Sequence, residues 1–244
     1  MRIKVLSYNI LNGGERRLRG IAGVIRAQAP DVVAVLEANR RVNAMILARM
    51  VGMRLVFAKA NSNFHVAWLT RMPVTGSVNH RLPGLTKTLL EIEVVWNGAP
   101  LGLYATHLAG GSDGILPADE IPLILDVLRQ RADRPHLLAG DLNAIHPDDD
   151  IGPAPVEFQR MEQAIDSDPR QAIRDVLAAG YVDCFRACQP DAPGYTFPSE
   201  RPWLRLDYIF ACPVMARRLT AAGYVDCPKA RRASDHLPVW AQFA

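Results

Sequence analysis

The stretch "LLAGDLNAI" at 137–145 sets Asp141 and Asn143 two positions apart, where an apolar run ends. In an extended chain, residues two apart point to the same side. An acid and an amide so placed can orient one water and one phosphate oxygen. They can equally start a turn, because Asp and Asn readily bond to their own backbone. Further polar residues occupy comparable places. Asn9 closes "IKVLSYN", Glu37 closes "DVVAVLE" and His107 closes "LGLYATH". Asp207 lies early in "LRLDYIFA", and Asp235 and His236 precede "LPVWAQF".

Taken singly, most have a plain structural explanation. Asn9 suits a turn, Glu37 a solvated strand end, His107 a satisfied core position, and Asp235–His236 a cap. Asp207 is harder to place, since Leu206, Tyr208, Ile209 and Phe210 surround it. A carboxylate in such company is partly buried and needs a partner. Taken together, the residues form a reaction set. A hard divalent cation wants carboxylate and amide oxygens; Glu37 and Asp235 supply charge and Asn9 a neutral oxygen. Asp141 can ready a water for attack on phosphorus, with Asn143 on the same side. His236, held by Asp207, can donate to a developing oxyanion.

The elements that must position these residues follow from periodicity. Strands are expected at 3–9, 31–37, 55–58, 65–70, 88–96, 101–107 and 136–141, and late in the chain at "LRLDYIFA" and "LPVWAQF". "WNGAP" between two of them signals a hairpin. Leu18, Ile21, Ala22 and Ile25 share one helix face, 41–50 forms a second helix, and Ile121, Ile124, Leu125 and Leu128 mark a third. A fourth carries Asp168 as cap, Pro169 at its first turn and Gly180 after its end. Residues 144–166, with Pro147, Pro153, Pro155 and the acids Asp148 to Asp150, read as loop. Helices do not alternate strictly with strands, so the sheets are expected to be mixed or largely antiparallel under helical cover. Polarity agrees: Asn9, Glu37, His107 and Asp141 end strands, whereas Asp207 and Asp235–His236 begin them. One shared site therefore requires strands of opposite direction.

At 244 residues, with 49% apolar and 22% charged residues, the chain suits a folded α/β or all-β protein. No internal sequence repeat or linker divides it, so one domain over 1–244 is expected. Net charge is +3, and of the 28 basic residues only Lys4, Lys59, Lys87 and Lys229 are lysines. Arginine pairs with phosphate in a bidentate fork; high genomic GC content explains the bias equally well. No basic arm is present, so a small anionic substrate is as compatible as nucleic acid. Cys184, Cys188, Cys212 and Cys227 form no CxxC pair, which points to reduced core thiols. No charged-then-apolar leader opens the sequence, and no apolar run approaches about 18 residues. A cytoplasmic location without a membrane span is expected.

Six blocks in order, "SYNIL" (7–11), "VLE" (35–37), "ATHL" (105–108), "GDLN" (140–143), "RLDYIF" (205–210) and "SDHLP" (234–238), resemble the endonuclease/exonuclease/phosphatase superfamily. Its members include pancreatic-type deoxyribonucleases, abasic-site endonucleases, inositol-polyphosphate 5-phosphatases and neutral sphingomyelinases. The resemblance implies a four-layer αββα sandwich of two packed, mostly antiparallel sheets, and cleavage of a phosphoester P–O bond with Mg²⁺ or Mn²⁺. It implies Glu37 as principal metal ligand, with Asn9 and Asp235 at further direct or water-mediated contacts. Asp141 takes the place of the water-activating acid and Asn143 of its partner. Asp207 aligns His236, which stabilises charge on phosphorus or moves a proton. His107 stands near the phosphate or leaving oxygen.

Departures also count. Leu36 replaces the glutamine common before the metal-binding glutamate. "LYATHL" stands in place of a Tyr-x-x-Asn block, which moves the reading away from abasic-site endonucleases. The strand "HVAWLTRMPV" ends in a turn in which Arg71 reads as structural. Arg231 and Arg232, just before Asp235, are either solvated charges or phosphate-steering groups. Tyr195, Phe197 and Trp203 read as packing, with base stacking the alternative. The expected activity is a metal-dependent phosphodiesterase, foremost a nuclease acting on DNA or RNA. The alternatives are a phosphomonoesterase, a lipid phosphodiesterase, or an inactive binding protein of the same fold. No protein partner is evident from the sequence.

Overall fold

The computed structural model describes residues 1–111, 114–150 and 168–244. Most of the expected loop at 144–166 lies outside the described residues. The first half contains β1 (Ile3–Asn9), α1 (Leu18–Gln28), β2 (Val32–Leu36), α2 (Arg41–Val51), β3 (Arg54–Ala58), β4 (Val66–Thr70), β5 (Val74–His80) and β6 (Leu89–Trp96). It continues with β7 (Ala99–His107), α3 (Pro117–Arg129), β8 (His136–Asp141), α4 (Gln171–Ala178), β9 (Val182–Asp183) and α5 (Cys184–Cys188). The last stretch holds β10 (Asp207–Ala211), α6 (Pro213–Ala216), β11 (Leu219–Tyr224), α7 (Pro228–Ala233) and β12 (Val239–Phe243).

Two six-stranded sheets pack face to face, ordered β11-β12-β1-β2-β4-β3 and β5-β6-β7-β8-β10-β9. In each, the two central strands are parallel, β1 with β2 and β7 with β8, and their neighbours run antiparallel. The second sheet thus repeats the order of the first, six strands later, without a repeat in sequence. The architecture is the expected αββα sandwich of mixed sheets.

The central strands are buried on both faces, which is why they read as unbroken apolar runs. Along β1, Ile3 and Val5 pack between the sheets, whereas Leu6 and Tyr8 pack outward under α1, α2 and α7. The "WNGAP" turn carries positive φ at Asn97 and Gly98, 52° and 78°, as a two-residue hairpin with primed-turn geometry demands. Arg71 donates to the carbonyls of Pro30 and Val51 and so ties β4 to α2. All four cysteines are free thiols. No helix among the described residues is long and apolar enough to cross a membrane.

Three expectations need adjustment. β5 lies at a sheet edge, exposed along its middle and interrupted by a register shift before Gly76, so its polar sequence gave no strand pattern. β9, β11 and the short helices α5, α6 and α7 were likewise not expected. The helix placed at Asp168 begins at Gln171; Asp168 instead turns the chain, its Oδ1 accepting the Arg170 N–H at 2.9 Å. Gly180 ends that segment with φ 89° as anticipated.

A buried ion cluster braces the second sheet. The Arg205 guanidinium, 2% exposed, forks onto Asp149 at 2.7 and 3.1 Å, donates to Asp183, and stacks 4.6 Å from the Tyr208 ring centroid. Arg186 also reaches Asp149. Asp149 is the middle member of the acidic triplet, and it is anchored inside the protein. Tyr208 Oη donates to the Ala144 carbonyl at 2.8 Å, pinning the loop that carries Asn143. Removing one partner of such a cluster strands a buried charge. Asp149→Ala is expected to lower unfolding free energy by about 3–5 kcal/mol, measured by urea denaturation. An unchanged midpoint would show that the cluster does not brace the fold.

Candidate active site

The C-terminal ends of the two parallel strand pairs face one another. Asn9 ends β1, Glu37 follows β2, His107 ends β7 and Asp141 ends β8. Asp207, opening the antiparallel strand β10, lies in register beside Asp141. The opposed strand directions anticipated from sequence are therefore what bring these groups together. Close approach of β7 and β8 depends on Gly140: a Cβ there would stand 2.0 Å from the Thr106 carbonyl oxygen. That is why a glycine precedes Asp141.

Asp141 is the hub. Its Oδ2 accepts from Asn9 Nδ2 at 3.0 Å and lies 3.5 Å from His107 Nε2 and 3.6 Å from His236 Nε2. Its Oδ1 accepts the Asn143 N–H at 3.0 Å. The turn role and the site role thus fall to different oxygens of one carboxylate. Asn143, at φ 46°, donates its amide to the Leu108 carbonyl at 2.9 Å, which leaves its side-chain oxygen as an acceptor.

Asn9 is fully buried, and its NH₂ bridges two acids, Asp141 and Glu37 (3.1 Å to Oε1). Its oxygen accepts the Leu11 N–H at 3.0 Å. The amide thus points its donors, rather than the neutral oxygen expected from sequence, toward the carboxylates. Glu37 sits at φ 54°. Strand parity would send it with Val33 and Val35 to the helix side. The left-handed turn brings it back to the site, where Oε2 accepts the Asn12 N–H at 2.7 Å. The Glu37 carbonyl accepts from Gly13 and Asn39, both at 2.7 Å, and so holds this costly conformation.

The two histidines on Asp141 are driven apart. Burial opposes charge on both. His236 Nδ1 donates to Asp207 Oδ2 at 2.8 Å; the charges of Asp207 and Asp141 outweigh burial and push its pKa up to about 10. Among the described residues, Asp141 is the one acid acting on His107. Burial, with Lys87 and His236 adding to it against Asp141, takes its pKa down to about 3. At neutral pH one ring is a cation with a proton on each nitrogen, of which Nδ1 donates to Asp207, and the other is neutral.

Thr196 escaped notice in the sequence. It is fully buried and donates to Asp207 Oδ2 at 2.6 Å, so it fixes the acid that fixes His236. Lys87 donates to the Leu108 carbonyl beside His107. Glu120, buried on α3, accepts the N–H groups of Thr86 and Ala109 and clamps together the segments bearing Lys87 and His107. Phe64 lies edge-on 6.1 Å from His107, and Phe197 4.8 Å from His236. Phe197 and Trp203 pack on Ile145, Leu204 and Leu206.

Asp235 is half-buried, and its Oδ1 accepts from Ser234 Oγ at 3.3 Å. It faces a cleft of about 1120 Å³ that also borders Arg17, Arg201, Trp203, Arg231 and Arg232. Arg231 forks onto Asp226 at 2.6 and 2.7 Å, so its charge is already matched, whereas Arg232 is exposed at the rim. Asp141, Asp207 and His236 present ligand atoms within 4.8 Å of one another. The 2.8 Å bond between His236 and Asp207 occupies two of those atoms, so this cluster is better described as an ion-paired relay.

The chain belongs to the endonuclease/exonuclease/phosphatase family, which it matches over residues 6–236. Solved structures share the fold. A 3′ phosphatase, NExo, from Neisseria, bound to product DNA hairpin, superposes with TM-score 0.79 at 21% identity, covering 99% of each chain. An endonuclease/exonuclease/phosphatase protein from Beutenbergia cavernae gives TM-score 0.76 at 24% identity, covering 99% of this chain and 71% of that one. An AP endonuclease from Archaeoglobus fulgidus gives TM-score 0.73 at 20% identity over 99% of both chains.

The electrostatics predict a pH signature. His236 stays protonated until pH approaches about 10. Asp207→Asn removes the stronger charge that raises it, so its pKa falls. If turnover uses the cation, the alkaline limb of kcat should move down by about 1–3 pH units in Asp207→Asn. Thr196→Val should move it in the same direction by less. An unmoved limb in Asp207→Asn would exclude His236 as the titrating group.

Proposed function

We propose that this chain is a divalent-metal-dependent phosphodiesterase that hydrolyses P–O bonds, foremost in nucleic acid, with residues 1–244 acting as one domain. The observation that carries this reading is the pair of histidines set 3.5 and 3.6 Å from one buried carboxylate oxygen, one of them bonded at 2.8 Å to a second acid. Cleaving a phosphodiester needs a fixed cation for the charge growing on phosphorus, a base or orienting acid for the incoming water, and help for the departing oxygen. His236 serves as the cation and donates from Nε2 to a non-bridging oxygen. Asp141 accepts a hydrogen bond from the water, which Asn143 helps to aim. As the water oxygen bonds to phosphorus, the bond to the ester oxygen breaks, and one proton passes from the water to the leaving alkoxide. Neutral His107, beside the same carboxylate, is placed to relay it.

The donor set fits a hard cation. Glu37 and Asp235 are half-buried carboxylates at the mouth, whereas Asp141 and Asp207 are almost wholly buried. Glu37 would hold Mg²⁺ or Mn²⁺, with Asp235 as a further ligand, and Asn9 would position Glu37 through its NH₂. The ion supplies charge neutralisation at the phosphate oxygens when bound. Arg232 steers substrate phosphate at the rim of the cleft, while Arg231, held by Asp226, lines the same cleft. A phosphomonoester is the second reading, favoured by the fold relative described as a 3′ phosphatase.

Assays on bis-p-nitrophenyl phosphate, p-nitrophenyl phosphate and plasmid DNA, with Mg²⁺, Mn²⁺ or EDTA, separate these readings. The diester and the DNA should turn over with metal and not with EDTA. Monoester turnover alone would establish the second reading. Silence toward every ester with either metal would favour a binding protein of the same fold. His236→Ala and Asp141→Asn should each lose at least ~100-fold in kcat while remaining folded by circular dichroism.

A further inference from the structure

The charges of this chain are divided between its two sheets. The segments building the first sheet and its helices, 1–72 and 219–244, carry 15 Lys and Arg against 5 Asp and Glu. The remainder, 73–218, carries 13 against 20. A net charge of only +3 hides this asymmetry. The contrast is sharpest in the outer helices. α1, α2 and α7 pack side by side over the first sheet, and together they hold seven Lys and Arg and no acid, with Arg231 alone among them paired to a carboxylate, Asp226 just ahead of α7.

Within that layer, α2 leaves an apolar stripe in solvent. Its inner face, Ala44, Leu47, Ala48 and Val51, is buried. Val42, Met45 and Ile46, spaced i, i+3 and i+4, are 65%, 38% and 40% exposed and adjoin one another. Arg41 precedes the stripe and Arg49 follows it, both exposed. Arg19 and Arg26 extend the basic surface along α1, which follows its strand in the same sense as α2. Apolar side chains flanked by arginines, with no acid, are what a helix needs in order to lie on an anionic bilayer: the apolar groups enter the acyl boundary and the cations meet the headgroups.

We propose that the α1–α2–α7 layer docks this protein peripherally on an anionic membrane surface, with Val42, Met45 and Ile46 inserted. A nucleic-acid strand would use the same positive charge, but it has no use for the apolar stripe. Arg26 and Arg49 also lie at the ends of their helices remote from the site, away from any strand threading it. The docking is independent of which phosphoester the site cleaves.

The test is partitioning of the full chain onto vesicles of phosphatidylcholine alone and of phosphatidylcholine with about one-third phosphatidylglycerol. Binding to the anionic vesicles is expected to exceed that to neutral ones by at least ~10-fold and to weaken at high salt. Val42→Ser, Met45→Ser and Ile46→Ser combined should cut it ~10-fold further, with turnover of a small soluble phosphate ester unchanged where wild type shows any and the circular dichroism spectrum unchanged in any case. Equal binding to both vesicle types, or no loss in the triple variant, would overturn the proposal. So would duplex DNA binding that ignores the triple substitution while vesicles are not bound. Self-association through the stripe, seen by sedimentation without vesicle binding, would assign the surface to a second copy instead.

Discussion

One carboxylate sets the terms for the rest of the site. Asp141 Oδ2 receives an amide from the first sheet and faces two imidazoles, one from the second sheet and one from the segment leading into β12. It is almost wholly buried, and a carboxylate so placed needs partners of this kind around it. Two of these groups are in turn held by something further out: Asn9 by the Leu11 N–H, and His236 by Asp207 and then Thr196. Rigidity is layered outward from Asp141, and the opposed protonation of the two histidines follows from which ring has a second acid behind it.

Backbone geometry does as much as side-chain chemistry. Gly140 lets two parallel strands come together where any Cβ would collide with a carbonyl. Glu37 and Asn143 both leave their strands at positive φ, and each is tied back by a hydrogen bond to a neighbouring segment. Such conformations cost about 1–3 kcal/mol each and persist where the surroundings hold them in place. They cluster at the mouth of this site, and the buried Arg205–Asp149–Asp183 cluster stands behind it on the second sheet.

Much of this was legible in the residues. Buried central strands announce themselves as apolar runs, and polar residues at their ends stand out against that background. Opposed strand direction followed from Asp207 and Asp235–His236 lying at strand starts. What escaped did so for physical reasons. β5 and β11 are edge strands with polar or small residues and no alternation to detect. Thr196 and Glu120 act through contacts eleven residues away in sequence, Thr196 with Asp207 and Glu120 with Ala109, and neither residue type is distinctive. Glu37 was found by its type, although strand parity alone assigns it to the wrong face; only the reversed backbone, invisible in sequence, returns it. Asn9 was read for its oxygen, which also accepts a neighbouring N–H, while its NH₂ binds the two acids, a role its residue type alone did not indicate.

The matching strand order of the two sheets bears on how this centre can change over time. Asn9 and His107 end equivalent strands, β1 and β7; Leu36 and Asp141 end the equivalent pair, β2 and β8. The centre is a seam between two similar frameworks, and neither framework carries a copy of the other's chemistry. The equivalent positions differ in chemistry: an amide stands opposite an imidazole, a leucine opposite the central acid. A loop on one framework can therefore lengthen, shorten or change sequence while the other goes on holding its half of the clustered polar groups. Scaffolds with that division of labour can exchange one phosphate ester for another without rebuilding the machinery that cleaves it.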